Sequence, residues 1–250
     1  MAKYTSKILV INLDSSRSRW QTALRQLNRL ASPDLIIERV SAVDGSTLST
    51  SELGRHFDRP LNQQQYHKTL NKGEIGCYLS HRKAWTQIVS EKLDFALVLE
   101  DDFVCSTQLE ALLDSVAAIK QSWHCIKLTE HPVKRKELSS QNVGAFRLVT
   151  YDKVPARTCA QLISQAGAQR LLAASEKFGR PVDIDLQHWW EHELIVLGLK
   201  PYIFQVSEQA VSDIDSLSHR KQSKTRHLSK IYQQLYFHLE NQRALKAAHY

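Results

Sequence analysis

The chain has 250 residues, 42% hydrophobic and 24% charged, with only eight glycines and six prolines, enough to bury the core of one catalytic α/β domain or of two small ones. Of its net charge of +7, +6 falls in residues 217–250, where seven Lys and Arg face Glu240 alone. The nearly neutral remainder argues against a nucleic-acid-binding protein, while the tail invites attraction to anionic lipid head groups or is simply a solvated terminal helix. The four cysteines, at 77, 105, 125 and 159, form no C-x-x-C pair, so neither a disulfide framework nor a zinc knuckle is expected. The apolar run at 8–13 is too short for a signal segment and no later run approaches ~18 residues, which predicts a cytoplasmic protein.

Residues 8–13, Ile-Leu-Val-Ile-Asn-Leu, read as a first strand that opens onto Asn12, Asp14 and Arg19 before a helix through Ala23, Leu24, Leu27 and Leu30. Arginine offers a rigid fork of donors for phosphate and Asn or Asp can bond ribose or base, although the same residues serve as helix caps. Neither a G-x-G-x-x-G nor a P-loop sequence is present to explain the site. A second strand over 35–40 leads to Asp44-Gly45, either a plain turn or another nucleotide contact. Residues 46–72 read as a long polar excursion with little regular structure, followed by a helix from Asn71 whose apolar stripe includes Ile75, Tyr78, Leu79, Trp85 and Ile88. His81 on that helix is expected to be a packed structural histidine.

Phe95-Ala96-Leu97-Val98-Leu99 then stops at Glu100-Asp101-Asp102, and this stretch organises the chain. Five apolar residues without alternation suit a central strand covered on both faces, and ligands of open α/β sheets collect beyond the carboxyl ends of such strands. Three adjacent carboxylates repel unless donors or a hard cation such as Mn²⁺ or Mg²⁺ hold them; the other reading is a solvated turn with a Thr107–Glu110 capping box before the next helix. Further on, 125–129 reads as a strand, 131–142 as a polar loop, and 158–164 as a strand leading to a helix that stops at Gly179. Asp183 and Asp185 precede a helix over 186–192 and are either its caps or a carboxylate able to deprotonate a sugar hydroxyl. His188-x-x-Glu191-His192 matches the inverted zincin signature of zinc peptidases, one of 11 histidines' chance arrangements or a metal site.

Taken in order, Val10-Ile11-Asn12-Leu13-Asp14 with Arg19, Ala42-Val43-Asp44-Gly45, Gly73-Glu74-Ile75-Gly76-Cys77 with Ser80-His81, Leu97 to Asp102, Thr158 with Ala160, and Pro181-Val182-Asp183 resemble glycosyltransferase family 25 over roughly residues 7–215. That family comprises bacterial lipooligosaccharide and lipopolysaccharide glycosyltransferases and has collagen galactosyltransferases among its relatives. The resemblance implies a GT-A-like α/β fold with a mixed, mainly parallel central sheet flanked by helices, here a catalytic domain over 1–216 with a basic helical tail over 217–250. It also implies a UDP-sugar donor, most often UDP-galactose, inversion at the anomeric carbon, and a saccharide or lipid-linked acceptor. Glu100-Asp101-Asp102 would be the counterpart of the D-x-D motif, with Asp102 and Glu100 as ligands of Mn²⁺ or Mg²⁺; the departure is Glu at its first position. Asn12, Asp14, Arg19, Asp44, Glu100 and Asp101 are then expected nucleotide contacts, and Asp183, followed by Asp185, the expected catalytic base. Two other readings remain, the zinc peptidase and a sugar-nucleotide-binding protein without catalysis.

Overall fold

In the computed structural model, which describes residues 4–107, 109–129, 133–207 and 225–248, the first strand β1 (Ser6–Asn12) shows how the core is divided. Side chains alternate across a strand, so Ile8 and Val10 enter one apolar layer while Leu9 and Ile11 enter the other. Helix α1 (Arg17–Leu30) covers the first layer through Ala23 and Leu27, and β2 (Ile36–Ser41) pairs in parallel with β1.

The polar stretch 46–72 is not irregular. It holds a 3₁₀ turn (Gly45–Thr47) and two short helices, α2 (Thr50–His56) and α3 (Arg59–Gln65). Their signals are local: Ser49 and Glu52 form a complete capping box, and Asp58 caps α3 with Pro60 in its first turn. Helix α4 (Lys72–Ser90) likewise starts on a capping box of Asn71 and Glu74, and lays Ile75, Tyr78, Trp85 and Ile88 against the second layer. It leads into β3 (Phe95–Glu100).

After Asp102 the chain forms β4 (Phe103–Cys105) rather than turning straight into a helix, and α5 (Glu110–Ala117) begins at Leu109 with no side-chain cap. The expected Thr107–Glu110 box is therefore absent, because three residues are first drawn into a second sheet. β5 (Cys125–Lys127) is central, whereas the expected loop 131–142 contains β6 (Glu137–Val143), hairpinned to β7 (Phe146–Tyr151). β6 lies at the sheet margin with five successive exposed residues, so it never needed an apolar face for the sequence to show. β8 (Ala160–Ser164) feeds α6 (Gln165–Ala174), which ends at Ser175 and not at Gly179. Gly179 instead lets the chain pass close to α3, where a Cβ would lie 2.6 Å from the Asn62 nitrogen.

α7 (Val182–Asp185) is a single turn, and 186–192 continues as turns, not as the expected helix. β9 (Val196–Lys200), β10 (Phe204–Val206) and α8 (His227–Ala247) complete the chain. The main sheet runs β2-β1-β3-β8-β5-β9-β7-β6, with six of the eight strands pointing one way and β7 and β8 reversed; β10 and β4 form the second sheet. Residues 217–224 of the basic tail lie outside the described residues. Residues 249–250 lie outside them too, and most of the described remainder is α8, which docks through Asn241, whose Oδ1 accepts from Trp189 Nε1 at 3.1 Å and whose Nδ2 donates to the Asp152 carbonyl at 2.6 Å.

Two close approaches fix the loop after β2 to the start of α4. A Cβ on Gly45 would sit 1.8 Å from the Lys72 carbonyl oxygen, and one on Gly76 would sit 2.6 Å from the Val43 oxygen. Gly76→Ala should therefore cost about 1–3 kcal/mol by overpacking, read as a lowered urea midpoint with an unchanged m-value.

Candidate active site

The carboxyl end of β3 lies between β1 and β8, and the chain reverses there because β4 leaves for the second sheet. The three acidic side chains are thus held at one turn, and each meets a different environment. Glu100 accepts from His81 Nε2 at 3.0 Å and from Thr158 Oγ1 at 2.5 Å. Burial opposes its ionisation, but the His81 hydrogen bond and charge, with Thr158 and Lys127, outweigh it and hold the carboxyl below its ordinary range. His81 is fully buried, with Nε2 on Glu100 and no partner for Nδ1, which makes it an orienting group for Glu100. Asp101 is held by Asn12 Nδ2 at 2.5 Å and by the Arg19 guanidinium.

Asp102 differs: its Oδ1 is buried with no hydrogen-bond partner. Burial first, then the neighbouring Glu100 charge, pushes this carboxyl up to about 6. An orphaned carboxylate oxygen on a residue that lines the cleft, beside a second carboxylate, suits an oxygen-liganded divalent cation. Cys77, His81 and Glu100 also place their ligand atoms within 4.8 Å of one another, a softer donor set on the same wall.

The cleft is closed on its far side by the loop after β2 and the first turns of α4. Ser80 joins the two, its Oγ accepting from the Val43 N–H at 2.8 Å and donating to the Gly76 carbonyl at 2.7 Å. Asn12, Arg19, Asp44, Glu100, Asp101 and Asp102 all line this one cleft. Asp44 also caps the 3₁₀ turn through Ser46. Asp14 is not among them: it sits in an adjoining depression, paired with Arg39 Nη1 at 2.7 Å and with Ser41.

The two later aspartates part company. Asp183 lies near Lys127, Glu100 and Cys77, and burial raises its carboxyl against the opposing effects of Lys127 and the Arg157 backbone N–H. Asp185 is buried in another network: it accepts from Tyr78 Oη at 2.5 Å and Arg180 Nη1 at 3.1 Å, with His192 Nε2 3.4 Å away. Burial alone would raise it, yet His192, Arg180 and Tyr78 hold it well below the usual carboxylate range. An acid so stabilised in its charged form is a poor proton acceptor, which favours Asp183 over Asp185, the second candidate for the base. Arg180 also clamps Glu191 through two hydrogen bonds of 2.6 and 3.0 Å. With Glu191 so engaged and His188 and His192 on turns, the inverted zincin spacing falls in a segment that lacks the helix it requires.

Lys127 and Arg180 escaped the sequence reading, which took Tyr78 as an apolar stripe residue and Cys77 as part of a motif without giving either a role. Lys127 alone left a signal, a charge at the carboxyl end of an otherwise apolar strand; it is fully buried, donating to the Arg157 carbonyl and to Gln161.

The mixed, mainly parallel sheet flanked by helices, with an acidic turn at the carboxyl end of β3, is the α/β architecture expected of a GT-A-like fold. The profile of glycosyltransferase family 25 (LPS biosynthesis protein) matches residues 5–186, and the chain belongs to that family. It is 30% identical over 191 residues to human procollagen galactosyltransferase 2, an alignment covering 72% of this chain and 29% of the relative. It is 33% identical over 188 residues to the mouse inactive glycosyltransferase 25 family member 3, covering 72% and 30%. The chain thus spans less than a third of the length of these relatives. Among solved structures, mannose-1-phosphate geranyltransferase from Thermus thermophilus is similar with a TM-score of 0.41 at 11% identity, covering 81% of this chain and 74% of that one. Mouse xyloside xylosyltransferase 1 follows with a TM-score of 0.38 at 12% identity, covering 76% and 84%.

Two outcomes test this electrostatic arrangement. The Asp102 carboxyl is raised in the folded state, so its ionisation costs stability above about pH 6 and the cost fades as pH falls towards the unfolded value near 3.8. In EDTA, Asp102→Asn should accordingly melt about 2–4 °C higher than the parent at pH 8, with the gain shrinking towards pH 4 in differential scanning fluorimetry. Arg180→Met strips the cation from the buried Asp185 carboxylate, and from the solvent-accessible Glu191, and should lower unfolding free energy by about 3–5 kcal/mol in urea titration.

Proposed function

We propose that this chain moves a sugar, galactose in first place, from a UDP-sugar to a saccharide acceptor with inversion at the anomeric carbon. The acceptor would be a lipid-linked oligosaccharide of the lipooligosaccharide or lipopolysaccharide core, elongated on the cytoplasmic side of a bacterial membrane. Family membership supports the reaction class, and the naming of relatives as galactosyltransferases supports the sugar. The observation that carries the reading is the unpartnered Asp102 oxygen, in a cleft where Glu100 and Asp101 already have partners.

Asp102 with Glu100 would hold Mn²⁺ or Mg²⁺, which supplies Lewis-acid stabilisation of the charge that develops on a diphosphate leaving group. Arg19, fixed by Asp101 at the mouth of β1, brings a guanidinium to the same region, and Asn12 and Asp44 offer polar atoms for ribose or base. His81 and Thr158 keep Glu100 ionised and aimed at the cleft. Asp183 takes the proton of the attacking acceptor hydroxyl: burial raises its carboxyl, which matches it to that task, and Lys127 limits the rise.

Calorimetric titration with UDP distinguishes the outcomes. Micromolar binding in Mn²⁺ that vanishes in EDTA and in Asp102→Asn is expected, and failure to bind UDP with any divalent cation would overturn the donor assignment. Asp183→Asn should keep UDP affinity and lose about 10²–10⁴-fold in kcat. A second reading, nucleotide-sugar binding without turnover, draws on relatives of similar identity that are named inactive; UDP binding with no donor hydrolysis or transfer would establish it.

A further inference from the structure

Six of the exposed large apolar side chains lie on α8, and they share one face. The opposite face is fully committed to the body. Asn241 and Leu245 are buried, Phe237 packs on His188 and Trp190 with ring centroids 4.9 and 5.1 Å apart, and Gln233 Nε2 donates to the Gln64 carbonyl at 2.9 Å. Arg226, at the helix start, donates to the Asn62 and Tyr66 carbonyls. The rotation of α8 about its axis is thereby set, and what faces outward is Leu228, Ile231, Leu235 and Leu239 at spacings of three and four, flanked by Tyr232 and Tyr236. Leu228 is 85% exposed, Ile231 63% and Leu235 57%. From Leu228 to Leu239 the stripe extends ~16 Å at 1.5 Å per residue. Scattered exposed apolar residues are ordinary; a continuous stripe on a docked helix marks a contact surface.

Charge decides what covers it. Lys230, Arg243 and Lys246 are on the same helix, whose one acid, Glu240, is already held by Arg243 at 2.6 Å. Two copies laid stripe to stripe would bring like charges together with no free acid on either side to answer them. An anionic lipid surface answers Arg243 and Lys246, which fall on the stripe's side of the helix at ~100° per residue while Lys230 falls on the docked side, accepts the aliphatic side chains below head-group depth, and suits tyrosines at the boundary. We propose that α8 lies in the plane of an anionic membrane and inserts the Leu228–Ile231–Leu235–Leu239 stripe into it. Attachment then combines charge with apolar insertion, and only the first component is screened by salt. The inference is independent of the donor assignment, since it concerns the surface of α8 alone.

Flotation with vesicles of phosphatidylcholine, with and without one third phosphatidylglycerol, tests it. The protein should partition onto the anionic vesicles, bind severalfold less well at high salt yet remain detectably attached, and largely ignore pure phosphatidylcholine. Ile231→Ser/Leu235→Ser should lower the partition coefficient at least tenfold without changing the melting temperature, both side chains being exposed. Arg243→Gln/Lys246→Gln should weaken binding at low salt and flatten its salt dependence. No binding to anionic vesicles, binding indifferent to the double serine variant, or a dimer in sedimentation that the serine variant dissolves would each overturn the proposal.

Discussion

Like charges at the end of one strand must be kept apart, and the architecture of the cleft follows from how this is done. Glu100, Asp101 and Asp102 are consecutive, so the backbone cannot separate them by more than a few ångströms. The separation is chemical instead. Glu100 is given an imidazole from α4 and a hydroxyl from the segment before β8; Asp101 is given an amide from β1 and a guanidinium from α1. Four elements converge on one turn because two of its carboxylates need partners, whereas the third, Asp102, keeps one buried oxygen without a hydrogen-bond partner.

The same logic explains why two aspartates two residues apart serve different ends. On a helical turn, positions i and i+2 are rotated by roughly 200°, so Asp183 and Asp185 cannot face the same cavity once α7 forms. Asp183 is left near Lys127 and Glu100, while Asp185 passes beneath Tyr78 into the network of Arg180, Glu191 and His192. Had the segment been extended, both side chains would have shared one face, and either could have served as base.

What could be read from the chain and what could not divides along sequence distance. The acidic strand end, the first helix and the start of α4 were legible because apolar runs, 3.6-residue stripes and Asn71–Glu74 capping are local patterns. The capping box at Ser49 and Glu52 was equally local but hidden in a polar stretch without an apolar stripe, since α2 buries no residue. β6 was illegible for a related reason, a strand that is solvated along most of its length carries no alternation. Partnerships were out of reach altogether: Tyr78 with Asp185 and Asn12 with Asp101 join residues 107 and 89 positions apart. Five of the six expected nucleotide contacts nevertheless line the cleft with Asp102, because each sits at the carboxyl end of a strand or the start of the next helix, whereas Asp14, one turn further out, is taken by Arg39.

The two margins of the main sheet bear on how the protein behaves in a crowded solution. An open sheet ends in rows of unpaired backbone groups, a template onto which a stray strand can add. Here one margin is β6, with Ser139, Ser140, Gln141 and Asn142 exposed in succession, and the other is β2, whose Glu38 is bridged to Lys7 and whose Arg39 is bridged to Asp14. Polar side chains and fixed ion pairs outnumber the exposed Ile36 and Leu138 on these margins and disfavour fibril-like growth. The main sheet is therefore guarded against addition by the chemistry of its own margins.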